Sequence, residues 1–109
     1  MAEIETEPMR VLDECRALLT KKGADYQSQN STVKQADYYL NGVITILDII
    51  HAKKLRLQSV IDNMQSGGKP NFESIEDSAK DMANYCAILV AYTRKKIDGQ
   101  DQNKNIFNR

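Results

Sequence analysis

Apolar residues recur along this chain at helical spacing. Met9, Leu12, Cys15, Leu18 and Leu19 lie mostly three or four apart, the interval that builds one face of a helix. Thr6 suits the cap of that helix, Glu7 the positive end of its dipole and Pro8 its first turn. Lys21-Lys22-Gly23 then supplies cations followed by a glycine, an ordinary helix stop. The pattern predicts a first helix over residues 7–22 and a polar loop over 23–32.

A longer pattern follows. Ala36, Leu40, Val43, Leu47, Ile50, Lys54, Leu57, Ile61 and Met64 alternate steps of four and three. That is a heptad seam interrupted only by Lys54. It predicts a second helix over 33–65, about 50 Å long. The β-branched run from Val43 to Ile46, with Ile49 and Ile50, lowers helix propensity and keeps a strand as the alternative. Ser66-Gly-Gly-Lys-Pro-Asn71 reads as a turn. Ile75, Ala79, Met82, Cys86, Leu89 and Thr93 repeat the same steps and predict a third helix over 72–98, before a polar tail over 99–109. In that tail Ile106 and Phe107 read either as a frayed end or as an apolar hook on a neighbouring subunit. Two long helices joined by a short turn pack antiparallel. The expected fold is all-α: a single domain over 1–109, a long antiparallel hairpin plus an N-terminal helix. Apolar residues on more than one face imply a bundle completed by self-association.

Composition narrows the function classes. Fifteen basic and fifteen acidic side chains balance to zero, which excludes a generic nucleic-acid coat and a polybasic membrane anchor. No run of apolar residues is long enough to span a membrane. The acidic start, Met1-Ala-Glu-Ile-Glu-Thr-Glu-Pro8, is unlike a signal peptide. The expectation is a cytoplasmic protein whose Cys15 and Cys86 are reduced, buried thiols.

The charge is unevenly placed. Glu73, Asp77, Asp81 and Asn84 fall within one sector of about 80° on the third helix. A solvated face near a helix N-terminus is one reading; a magnesium or ligand site built on clustered carboxylates is the other. Residues 49–61 hold Lys53, Lys54, Arg56 and the lone His51, with no acid. These cations either pair with the acids of the third helix or meet phosphate oxygens. Tyr26, Tyr38, Tyr39 and Tyr85 are candidates to stack a base or to pack half-buried. There is no phosphate-cradling glycine loop, Ser-His-Asp set or CxxC pair.

Three stretches carry a resemblance: Lys22-Gly-Ala-Asp-Tyr26, Lys53-x-x-Arg-Leu57 and Glu73-Ser-Ile-Glu-Asp-Ser-Ala-Lys-Asp-Met-Ala-Asn-Tyr85. Together they resemble the nucleotide modification associated domain family (first type) of phages and bacteria, with its K-x-x-D-Y-G loop, D-K-x-x-R-L helix and E-S-x-x-D-T-x-x-D-x-x-N-Y helix. That family is similar to the all-α nucleotide pyrophosphohydrolases, which are often oligomeric and bind nucleotides with magnesium on helix carboxylates. The resemblance implies metal positions at Glu73, Asp77 and Asp81. It implies ligand contacts at Asn84 and Tyr85, phosphate contacts at Lys53 and Arg56, and a loop element at Asp25 and Tyr26. Ala52 stands where an acid is expected and Gln27 where a glycine is. Helix 2 adds only Asp48 and Asp62 to the acid set. Phosphate-binding cations with too few metal ligands imply a protein that binds a nucleotide without cutting it. The alternatives are a magnesium-dependent nucleotide pyrophosphohydrolase, an accessory protein of modified-nucleotide metabolism, or a structural helical interaction protein.

Overall fold

The computed structural model describes residues 4–26, 30–104 and 107. Among these there are three α-helices and no strand: α1 (Glu7–Tyr26), α2 (Val43–Gln65) and α3 (Phe72–Thr93), with single 3-10 turns at Gln35–Tyr38 and Gln102–Lys104. The protein is all-helical, and none of these helices is long and apolar enough to cross a membrane.

Each helix departs from its predicted span for a local reason. The first runs on to Tyr26, not to Lys22. Gly23 does not take the positive φ that ends a helix and stays helical. The second helix begins at Val43, not at residue 33. Gly42 at φ 60 and ψ −128 breaks it, a conformation that side chains avoid. The Thr45 hydroxyl accepts the Asn41 N–H at 2.8 Å and secures the new start. Asn41-Gly42 is a turn signal that the four-three apolar repeat ran straight through. The third helix is capped by the Asn71 side chain, which accepts the Ser74 N–H at 3.3 Å, and ends at Thr93, not at residue 98. Lys95 takes a left-handed turn at φ 60. The Lys95 N–H bonds back to the Tyr92 carbonyl and the Lys96 N–H to the Ala91 carbonyl, a closing motif that more often uses glycine.

The segment after α3 is tied back to the chain before α2. The Ala36 N–H donates to the Asp98 carbonyl at 3.0 Å, and the Gln100 side-chain amide donates to the Tyr92 carbonyl at 2.9 Å. Gly99 lies so close to Lys34 that a Cβ there would stand 2.3 Å from the lysine Cβ.

The core sits where the start of α2 meets the end of α3. Tyr39, Val43, Ile46, Ile88 and Tyr92 are buried, with Leu19, Ile49, Ile50, Tyr85, Leu89 and Ile97 packed against them. On α2, where Thr45 and Ile49 are also half-buried, the covered positions include Val43, Ile46, Ile50, Lys53, Leu57, Val60 and Met64. They share the heptad spacing of the predicted seam, but Ile46, Lys53 and Val60 replace Leu47, Lys54 and Ile61. Leu40 is 69% exposed. On α3 the deepest positions lie one residue before the predicted seam: Ser78, Ile88 and Tyr92 are buried and Ser74, Asp81 and Tyr85 half-buried, while Ile75, Met82, Leu89 and Thr93 of the predicted seam are half-buried and Ala79 and Cys86 exposed. Cys15 is buried but Cys86 is exposed, because Cys86 belonged to the displaced stripe. The acidic sector of α3 therefore borders the buried face.

Candidate functional site

Asp81 is where this shift matters. It stands on the buried seam of α3, half-covered, and needs compensation there. Lys22 of α1 donates to its Oδ1 at 2.8 Å, and Lys53 of α2 approaches Oδ2 at 3.2 Å. One carboxylate thus joins all three helices and leaves a surplus positive charge. Burial pushes the Asp81 carboxyl upward; the Lys22 and Lys53 ammonium groups overcome this and hold it below its ordinary value.

Beside this triad opens a cavity of about 210 Å³ lined by Leu19, Lys22, Gly23, Gln35, Asp81, Asn84, Tyr85 and Ile88. Its walls are the apolar side chains of α1 and α3 and the Tyr85 ring. Asn84 is only 6% exposed, and its side-chain Nδ2 has no hydrogen-bond partner. A buried amide donor without an acceptor is costly, and here it lines a cavity. Lys22 and Asp81 also line a second cavity of about 270 Å³, together with Leu18, Arg56 and Asp77. Two concavities therefore share one charged wall. The first offers an apolar, aromatic recess with an amide donor. The second offers two cations beside two carboxylates.

The chain matches no protein-family model, no curated protein and no solved structure. The site must therefore be read from its own chemistry.

Of the residues singled out from the sequence, the structure brings Lys53, Asp81, Asn84 and Tyr85 together in the triad and the first cavity. Arg56 and Asp77 line the second. Lys54 is exposed and donates to Gln58 Oε1 at 2.7 Å on its own helix, so it stays off the seam. Glu73 is exposed in the first turn of α3, and Asp25 is exposed near the end of α1. Tyr26 closes α1, and its side chain lies outside the described residues, as does Gln27. Tyr39 belongs to the core and Tyr38 is exposed. Among the described residues no three or more His, Cys, Asp or Glu side chains gather where a metal ion would sit. Glu73, Asp77 and Asp81 share a face but climb it a turn at a time, about 6 Å per step, and Asp81 is already engaged by lysines.

Lys22, Gln35, Leu19 and Ile88 are the residues the sequence reading missed. Lys22 had a signal: it opens the first of the three resembling stretches. Its place before Gly23 made it look like an end-of-helix cation. Gln35 had none, because only the break at Gly42 brings its turn against the cavity.

Proposed function

We propose that this chain is a nucleotide-binding protein that holds a phosphorylated nucleotide without robust catalysis. In a phage setting it acts as a sponge that sequesters an immune signalling nucleotide in the host cytoplasm. One observation carries the reading: the unpartnered, buried amide of Asn84 lines a recess bounded by Lys22 and the half-buried Asp81. A ring with an acceptor atom satisfies that amide and packs on Tyr85, while phosphate oxygens meet Lys22, Lys53 and Arg56. The resemblance to a phage-associated nucleotide family supports the sponge role. The small acid set supports binding over cleavage. In the same reading α2 and α3 form a long antiparallel hairpin, α1 is the third packing helix, and copies of the single domain self-associate.

The alternative is a magnesium-dependent nucleotide pyrophosphohydrolase. The observation that favours it is the pairing of Asp77 and Asp81 on the second cavity, two carboxylates one turn apart that a divalent ion would bridge once Asp81 left its lysines. A panel of nucleotides is incubated with the protein with and without Mg²⁺, and the protein is then heat-denatured and the supernatant chromatographed. Recovery of an intact nucleotide supports the sponge. Metal-dependent turnover that disappears in Asp77→Ala and Asp81→Ala supports the hydrolase. A panel that leaves the melting temperature unmoved defeats both and leaves a structural helical module.

A further inference from the structure

The two cavities beside Asp81 are small. At about 210 and 270 Å³, each falls below the roughly 300–1,000 Å³ of a site that takes a whole drug-sized molecule. Each therefore holds a piece of a ligand, and their linings differ in kind. Leu19, Tyr85, Ile88 and the buried amide of Asn84 line the first, which suits a flat ring with an acceptor atom. Lys22, Arg56, Asp77 and Asp81 line the second, which suits a small anion held by a guanidinium.

Helix α3 sets the distance between these pieces. Asn84, Asp81 and Asp77 follow one another toward its N-terminus at steps of three and four residues. Asn84 thus stands about 10 Å along the axis from the level of Asp77. That is the reach of one base, one sugar and one phosphate. Helix α2 supplies cations in the same order. Lys53 meets Asp81 at 3.2 Å, and Arg56, three residues on, lines the second cavity with Asp77.

Charge limits what can lie at the far level. Lys22, Lys53 and Arg56 stand with Asp77 and Asp81, three cations to two carboxylates, a surplus of one positive charge among the described residues. A terminal phosphate brings about 1.5–2 negative charges and a phosphodiester about one, both close to that surplus. A di- or triphosphate brings more charge and sets its outer phosphate against the Asp77 carboxylate. Among the described residues lining this cavity, Lys22 and Arg56 are the cations. Like charges brought together in this way are costly.

We propose that the ligand is a nucleotide with a single phosphate, its ring against Asn84 and Tyr85 and its phosphate on Arg56, and that Asp77 excludes a second phosphate. Asp77 then acts as a specificity residue. The inference rests on the nucleotide-binding reading above and adds to it the number of phosphates.

Isothermal titration of the full chain in EDTA tests it. The probes are the 5′-monophosphate, 3′,5′-cyclic monophosphate and 5′-triphosphate of each common ribonucleoside. The wild type binds the open or the cyclic monophosphate of at least one base, and the triphosphate of that base binds roughly tenfold more weakly. Either monophosphate supports the proposal, and the tighter one shows whether the phosphate is a terminal ester or a ring. Asp77 is exposed, so Asp77→Asn keeps the fold and shrinks the gap to about threefold or less. Where that variant loses its helical circular dichroism, Asp77→Ser takes its place. Arg56→Gln weakens the monophosphate roughly tenfold. A triphosphate that binds the wild type as tightly as the monophosphate overturns the proposal and leaves nucleotide binding standing. So does a gap that both Asp77 variants leave unchanged. Binding of no nucleotide at all defeats the proposal together with the reading beneath it.

Discussion

Asn84→Leu is the substitution that separates stability from function in this protein. Asn84 is buried and its Nδ2 lacks an acceptor. An unmade hydrogen bond of this kind costs about 1–3 kcal/mol. Leucine removes that cost, and its extra volume has somewhere to go, since the adjoining cavity holds about 210 Å³. The ligand-free protein should gain about 1–2 kcal/mol, a rise in Tm of about 4–8 °C for a domain of this size. The same change deletes the donor that a nucleotide would use. A lost hydrogen bond worth about 1.5 kcal/mol weakens binding roughly tenfold. Scanning calorimetry reads the first effect. Isothermal titration with the nucleotide that best shifts the wild-type Tm reads the second. The smaller Asn84→Ala, which removes the amide without adding volume, controls for overpacking. A fall in Tm for both variants would show the amide to be satisfied and would refute the reasoning. Unchanged affinity in both would remove Asn84 from the ligand site.

Three further outcomes follow from the packing and the charges. Ile46→Ala should cost about 2–5 kcal/mol because Ile46 is fully buried, whereas Leu47→Ala should stay within about 0.5 kcal/mol; equal urea midpoints for the two would restore the seam read from the sequence. Asp81→Asn should cost about 1–2 kcal/mol by leaving two half-covered ammonium groups without their carboxylate, and a double-mutant cycle with Lys53→Met should show less than additive loss. The Asp81 carboxyl is held below its ordinary value. The stabilisation it supplies is therefore complete above about pH 4 and disappears as pH falls through its lowered value; an acid-unfolding curve identical in Asp81→Asn would contradict this. Gly99→Ala should destabilise by about 1–3 kcal/mol, since Gly99 has φ 81 and a Cβ would strike Lys34, while Gly23→Ala, in helix α1 with open space around it, should stabilise by about 0.5–1 kcal/mol; thermal melts of both variants check the pair.

The sequence alone carried the helical class, because apolar periodicity is a property of the chain itself. It also carried the turn at Ser66–Asn71 and the end of α2 at Gln65, where Gly-Gly and Pro leave no helical alternative. Polar chemistry worth watching was legible as well: Lys53, Asp81, Asn84 and Tyr85 were singled out by residue type and spacing. The start of α2 was not, although Asn41-Gly42 stood in plain view, because the apolar repeat continued across it.

What only the tertiary structure decided was phase. Each long helix carries apolar residues on adjacent stripes about 100° apart, and periodicity cannot say which of two adjacent stripes is covered. In α2 the choice of Ile46 over Leu47 also places Lys53, not Lys54, against Asp81. In α3 it turns a polar stripe inward, so Ser78 and Asn84 become buried and Asp81 half-buried. That choice depends on what the other helices offer. The ammonium groups of Lys22 and Lys53 offset the desolvation of Asp81, and they reach it only after three segments, distant in sequence, have come together.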